Sequence, residues 1–445
     1  MATVDMTKGN IWHQIISYTI PLVLGNMFQL LYNAVDSMIA GRFIGPEALA
    51  AAGMAGPVMN ILILGISGIC IGAGVLMSSF FGSHDEEKLR RELSTLLISG
   101  TVFAVVVMLL GFIFASPLLR ILNVPESVHD MTLVYLRIIF LGAPFTYFYN
   151  ALSQALKSVG DSKTPLKFLI ASSVLNCVLD LFLIGYMGFG IACSAITTVV
   201  AQVLSALCCF IYIYRKVPVL GLSPRELRVD KEMLKSTLSY GTVTALQQSV
   251  QPIGKLLIQS SVNTLGVSVI AAYNAVTKID DFAFTPEQSI GHAITTFTAQ
   301  NMGAGNKKRI REGFRKGLTL EFFYFLFIAT AVFLLKDFIM RLFVSGEGSE
   351  DVIAEGILYL STMSFFYILP GMTNGIQGFF RGVGRMKTTL LCTTIQASMR
   401  VVFTFILVPH YGIHAIAYAC AIGWCLMLLY EVPCYFRFRK KNGLV

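Results

Sequence analysis

The stretch LSTLLISGTVFAVVVMLLGFIFASPLL, residues 93–119, holds no Asp, Glu, Lys or Arg. About 20 mostly apolar residues are enough for a helix to cross the hydrocarbon core of a bilayer. Two neighbouring segments read the same way. None of the four charged residue types occurs from Ala48 to His84, or from Leu181 to Tyr214. The second of these can hold the end of one helix, a turn at Gly188 and Gly190, and a complete further helix. Across the chain, 55% of the 445 residues are hydrophobic and 13% charged, about half the charged fraction of a soluble domain. Hydropathy therefore decides the class: an all-α polytopic membrane protein.

Twelve spans are predicted: 14–40, 53–81, 93–116, 131–156, 165–185, 191–214, 237–263, 270–301, 317–335, 355–380, 388–408 and 413–436. An even number puts both termini on one side of the membrane. Loops on that side carry 26 Lys and Arg, against four (Arg42, Arg120, Lys336, Arg341) opposite. The positive-inside bias places both termini in the cytoplasm, with the protein multi-pass in the cytoplasmic (inner) membrane. It also accounts for the net charge of +9 without a nucleic-acid partner. The first apolar run contains Pro21 and Gly25 and has no small-residue cleavage pattern, so it reads as a retained helix. The nine cysteines and six histidines show no metal-ligand spacing. No GxxxxGK[ST] motif is present, so neither an ATP-driven pump nor an enzyme is expected, and no cofactor beyond a coupling ion.

The chain repeats itself. At an offset of 221, Gly45 meets Gly266, Ala50-Ala51 meets Ala271-Ala272, Ile69 meets Ile290 and Gly82 meets Gly303. At an offset of 224, Tyr135-Leu136 meets Tyr359-Leu360, Val159-Gly160 meets Val383-Gly384, Lys163-Thr164 meets Lys387-Thr388 and Gly188 meets Gly412. Ordered identities at a near-constant offset signal duplication. Each repeat holds six spans, so the two enter the membrane from the same side, as parallel repeats. The predicted lobes are 1–222 and 223–445, joined by a basic linker at 215–236.

Charges inside apolar spans are costly and usually functional. Asp36 follows Tyr32 by four residues near the end of span 1, and Asp180 follows Asn176 by four in span 5, so each pair shares a helix face. Ser173 extends the second face. Thr197 and Thr198 in span 6, and Asn150 and Gln154 in span 4, add oxygen donors. Such a set can share a proton between carboxyls or hold a sodium ion, and the residues leave that choice open. Pro21, fifteen residues before Asp36, lets span 1 bend. Aromatic residues on polar helices, Tyr147 and Tyr149 among them, are candidates to line a cavity.

The second repeat lacks the acidic pattern: Asp36 maps to Leu257, Asn176 to Arg400 and Asp180 to Thr404. Its buried charges are Lys255, Lys278, Asp280, Asp281, Glu287, Glu321 and Arg400. A Lys255–Glu287 or Arg400–Glu287 ion pair and a substrate-contact role are both open readings. Gln248 and Gln251 in span 7 join Lys255, Glu287 and Arg400 as candidate cavity residues.

These residues resemble the multidrug and toxic compound extrusion family. The resemblance is carried by Tyr32-Asn33 with Asp36, by Gly-Pro-Glu-Ala-Leu-Ala at 45–50, and by Pro286 followed by Gln300-Asn301-Met302-Gly303-Ala304-Gly305. The loops Val159 to Pro165 and Arg381 to Gly384, and Asn176 with Asp180, complete it. It implies two six-helix lobes forming a V, alternating access, and export of amphipathic or cationic organic compounds against inward proton or sodium flow. The similarity is greatest to the bacterial, DinF-like branch with an acidic pair in spans 1 and 5. There the cation site resembles Asp36, Asn176, Asp180 and Thr198, with Tyr32, Asn150 and Ser173 nearby, and Pro21 matches the family's helix 1 proline. The chain departs from members with acidic coupling residues in spans 7 and 10, which points coupling to the first lobe. The expected partners are small organic cations or amphipathic drugs and the lipid bilayer, and the expected state is a monomer. The competing expectation is a flippase for a lipid-linked precursor, in which Lys255 and Arg400 would hold a pyrophosphate.

Overall fold

The computed structural model describes residues 3–122, 124–344 and 349–443. The elements are helices: α1 (Ile11–Ile39), α2 (Pro46–Gly82), α3 (Glu86–Ile121), α4 (Glu126–Ser158), α5 (Lys163–Asp180), α6 (Ile191–Lys216), α7 (Lys231–Val262), α8 (Val267–Gly303), α9 (Lys307–Phe343), α10 (Ser349–Phe366), α11 (Ile368–Gly382), α12 (Met386–Tyr411) and α13 (His414–Lys441). Every predicted span falls on one of them, with one correction. Predicted span 10 is two helices, α10 and α11, bent by 46° at Tyr367. Pro370 is the cause to hand: it supplies no N–H to the preceding turn, and the Gly371 N–H reaches the Tyr367 carbonyl only at 3.5 Å.

Among the described residues, nine helices and this bent pair are long and apolar enough to cross a membrane. The other two, α7 and α8, have the length, at 32 and 37 residues. Their polarity holds them back: α7 carries Gln247, Gln248, Gln251 and Lys255, and α8 carries Lys278, Asp280, Asp281 and Glu287. The outer faces of α3 and α9 are apolar at helical spacing. Val102, Val106, Leu109 and Ile113 are exposed on α3, and Phe323, Phe327, Leu334 and Phe338 on α9. Surfaces of this kind suit hydrocarbon contact rather than water. The protein is a multi-pass membrane protein.

The duplication is visible in the backbone. Gly45 and Gly266 open α2 and α8 at φ 125° and 98°, Gly160 and Gly384 stand at 86° and 78°, and Gly188 and Gly412 at 73° and 59°. These are the left-handed positions where a Cβ is penalised, so both copies kept glycine. The same offset pairs two N-caps. The Asp85 side chain accepts the Lys88 N–H of α3 at 3.0 Å, and Asn306 accepts the Arg309 N–H of α9 at 3.2 Å. Each satisfies an amide that the first helical turn leaves open. The Lys88 N–H and ammonium together hold the Asp85 carboxyl below its usual range.

The chain divides into two compact units: residues 1–5 with 20–245, and residues 6–19 with 246–445. The sequence boundary at 222/223 thus differs from the division by contact, which falls inside α1 and α7. Particular bonds explain this. The linker docks on α3: the Ser94 hydroxyl donates to the Arg228 carbonyl at 2.9 Å, and the Thr95 hydroxyl accepts the Asp230 N–H at 3.0 Å. Thr237 of α7 donates to the fully buried Glu92 at 2.5 Å. Next along, α2 and α7 touch backbone to backbone, because a Cβ on Gly72 would sit 2.6 Å from the Gly241 nitrogen. In the second unit, Arg309 of α9 donates to the Met6 and Gly9 carbonyls, both at 2.9 Å, and to Gln14 at 2.8 Å. Tyr18 and Thr296 share a hydrogen bond of 3.0 Å.

Gly72→Val forces α2 off α7, and overpacking of this kind costs about 1–3 kcal/mol. The expected result is a lower unfolding temperature in detergent. Gly53→Val, where nothing lies within 4 Å of an added Cβ, is expected to leave that temperature unchanged.

Candidate functional site

Four helices of the first unit supply the candidate site: α1, α4, α5 and α6. Asp180 is the last residue of α5 and is fully buried. Thr197 of α6 donates to its Oδ1, and the carboxyl of Asp36, from α1, lies within hydrogen-bonding reach of the Asp180 carboxyl. Ser194 of α6 donates to Asp36 Oδ1 at 3.4 Å. Tyr32, one turn before Asp36, has Thr198 as a neighbour. Tyr135 of α4 lies close enough to feel both carboxyls.

The local backbone is unusual at both acids. A π-helical turn follows α1 at Ala40–Ile44, and another follows α5 at Leu181–Tyr186, beginning directly after Asp180. Wider turns of this kind concentrate at functional sites. At the repeat-related ends of α7 and α12 the helices finish without one. The π turns are therefore found where the acids are.

Asn176 stands one turn before Asp180, fully buried, and neither its Oδ1 nor its Nδ2 has a hydrogen-bond partner among the described residues. Asp180 Oδ2 is likewise unpartnered. Leaving a buried amide unmatched costs about 1–3 kcal/mol per group. Such groups mark a place where an ion or water completes the bonding. Two neighbouring carboxylates in a low-dielectric bundle repel unless a proton or cation lies between them. The available oxygens suit either. Asp36 is partly exposed, whereas Asp180 is fully buried.

The structure sorts the other sequence candidates. Ser173 is buried on the Asn176 face of α5. Asn150 turns its amide back to the Thr146 carbonyl at 2.8 Å within α4. Tyr147 is 0% exposed and donates to the Leu96 carbonyl at 2.7 Å, which places it in the interior of the unit rather than on a cavity wall. Tyr149 neighbours Ser153 one turn on, and Gln154 fills the space over Gly74. In the second unit, Gln251 donates to Gln396 at 2.8 Å, whereas Gln248 stands half-buried on α7. Lys255 pairs with Asp281 at 2.6 Å, so the ion pairs drawn to Glu287 from Lys255 or Arg400 do not form. Spacing explains the error: Asp281 faces Lys255 across α7 and α8, whereas Glu287 turns toward α9. Arg400 and Lys255 line a small cavity with Asp280 and Asp281. α1 runs through Pro21 as one helix.

Sequence reasoning missed Ser194 and Tyr135. Ser194 could have been found, since it precedes Thr197 and Thr198 by three and four residues and so shares their face. Tyr135 carried no local signal, because only the packing of α4 brings it to the acids.

Two six-helix repeats with an oxygen-lined acidic site in the first define a membrane transporter rather than an enzyme. The MatE family model matches twice, at residues 21–182 and 244–406. The chain belongs to that family, and the two matches reproduce the internal repeat. It is 29% identical over 396 residues to the probable multidrug resistance protein YpnP of Bacillus subtilis, covering 89% of this chain and 88% of that one. It is 22% identical over 435 residues to the multidrug export protein MepA of Staphylococcus aureus, covering 98% and 95%. A solved outward-facing multidrug resistance MATE family transporter of the MOP superfamily shares the fold, with a TM-score of 0.91 at 23% identity, covering 99% and 98%.

The Tyr147 hydroxyl serves the interior, so Tyr147→Phe should lower stability by about 1 kcal/mol, the usual worth of one buried hydrogen bond. Thermal unfolding reads this loss. Transport activity per folded molecule is expected to stay at the wild-type level, and a large activity loss without destabilisation would return Tyr147 to a cavity role.

Proposed function

We propose that this protein is a secondary antiporter that exports amphipathic or cationic organic compounds in exchange for protons or sodium. The reading is carried by one observation: Asp36 and Asp180 meet beside an unpartnered, buried Asn176. Curated relatives named as multidrug resistance and multidrug export proteins support the substrate class.

In this mechanism the incoming cation binds between the two carboxyls, completed by Asn176 and the hydroxyls of α6. Thr197 and Ser194 orient the acids, and Tyr32 with Thr198 ties α1 to α6. Loading removes the charge that repels the pair. It also changes the hydrogen bonds at the end of α1, next to its π turn. That coupling lets cation binding alter the shape of the helix, with Pro21 as the point where the ladder is weakest. Export then follows by alternating access, since each ligand shifts the equilibrium by its differential affinity for the two states. Solved MATE structures that share the fold are described as being in the straight and in the bent conformation. The flippase alternative draws less support, because one of its two cations, Lys255, is already neutralised by Asp281.

In everted vesicles, imposed proton and sodium gradients applied separately should drive uptake of a fluorescent organic cation. Asp36→Asn and Asp180→Asn are each expected to reduce it to background. Undiminished exchange in either variant would remove the acidic pair from the coupling step.

The orientation reading puts the 215–236 linker and both termini in the cytoplasm. A cysteine introduced at Ser223 should react with a membrane-impermeant maleimide only in everted vesicles. Labelling from outside intact cells would invert the topology.

A further inference from the structure

The second unit holds a carboxyl pair that the site above does not use. Glu287 sits in the middle of α8 and Glu321 in the first half of α9, 0% and 1% exposed. None of their four carboxylate oxygens has a hydrogen-bond partner among the described residues. The two side chains come from different helices and aim at one place. A Cβ built on Gly371 of α11 would lie 3.5 Å from Glu321 Oε2 and 3.6 Å from Glu287 Oε1. Both oxygens thus border one methyl-sized space, left open because residue 371 is glycine.

Other groups facing this space do not neutralise it. On α8, a further acid, Asp280, acts on Glu287. It accepts from the Tyr359 hydroxyl at 2.7 Å and the Tyr367 hydroxyl at 2.8 Å. On α9, Tyr324 donates away, to the Ala283 carbonyl at 2.9 Å. From the α10–α11 bend, Tyr367 faces Glu287 but spends its hydroxyl on Asp280. Among the described residues, the charges acting on the two glutamates are acidic only, and Lys255 is held by Asp281. The bend itself adds polarity, because Pro370 offers no N–H and the Gly371 N–H bond is stretched to 3.5 Å. Broken helices next to buried ionisable groups are how membrane transporters build cation sites.

Two uncompensated carboxylates in this environment would carry a desolvation cost of several kcal/mol per ion. A permanently neutral function would be served as well by two apolar side chains. We propose that Glu287 and Glu321 share one proton and exchange it, forming a second cation-binding site confined to the second unit and separate from Asp36 and Asp180. On release the carboxylic O–H bond breaks, the proton leaves to water, and the pair takes up a proton again on return. Glu287 is thereby a proton carrier and not a salt-bridge partner.

The test uses the full-length chain in lipid, in a background with Asp36→Asn and Asp180→Asn. Its outcome is therefore independent of whether those acids couple transport. pH-difference infrared spectra report the carboxylic C=O stretch. A band that disappears as pH rises is expected, and it should be lost in both Glu287→Gln and Glu321→Gln. If neither substitution removes a titrating band from the parent spectrum the site is overturned, as it is if the band they remove does not titrate. If the glutamine variants fail to fold, Gly371→Ala puts a methyl into the shared space and should move the band's frequency or midpoint. A band unchanged in that variant would equally refute the pairing.

Discussion

A carboxylate inside a bilayer must find a cation, a proton or a set of donors, because the surrounding hydrocarbon offers none. This protein's acids on apolar helices meet that constraint in different ways. Asp180 takes the Thr197 hydroxyl and the neighbouring carboxyl of Asp36. Asp280 takes two tyrosine hydroxyls, and Asp281 takes the ammonium of Lys255. Glu92 takes Thr237. Donors run short at Asn176 and at Glu287 and Glu321, whose buried polar atoms have no hydrogen-bond partner among the described residues.

The duplication sets the frame in which these acids sit. Equivalent glycines with positive φ and equivalent N-caps at Asp85 and Asn306 keep the two copies alike in backbone. Their chemistry has diverged. The first copy places Asp36, Asn176 and Asp180 next to π turns, while the second carries Leu257, Arg400 and Thr404 at the matching positions. Thr404 there only bonds back within its own helix, donating to the Arg400 carbonyl one turn earlier at 2.7 Å. Polar groups of the second copy moved to α8, α9 and the bend before α11. One scaffold thus carries two different solutions to holding charge in an apolar bundle.

Most of the fold was legible before any coordinates. Hydropathy marks spans because membrane crossing imposes both a length and the exclusion of charge on each of them. Loop charge and the offset of 221–224 added their even number and duplication. The break at Tyr367 was not legible, because Pro370 inside an apolar run is also compatible with a kinked but continuous helix. The division inside α1 and α7 was likewise hidden, since it depends on which neighbours each half of a helix touches. At the candidate site, Asp36, Asn176, Asp180, Tyr32 and Thr198 were readable from polarity at helical spacing. Tyr135 was not.

The sequence by itself determined that the chain lies in a membrane, crosses it repeatedly and is built twice from one plan. Those properties follow from composition and periodicity, which each segment carries locally. Tertiary structure decided the partners. It brought Asp36 to Asp180, gave Lys255 to Asp281, and turned Glu287 toward Glu321 across α8, α9 and α11. Pairing between helices depends on their rotation and depth in the bundle, and neither is written in any one segment. An error of one helical position turns a side chain by about 100°, enough to exchange an ion pair for an uncompensated acid.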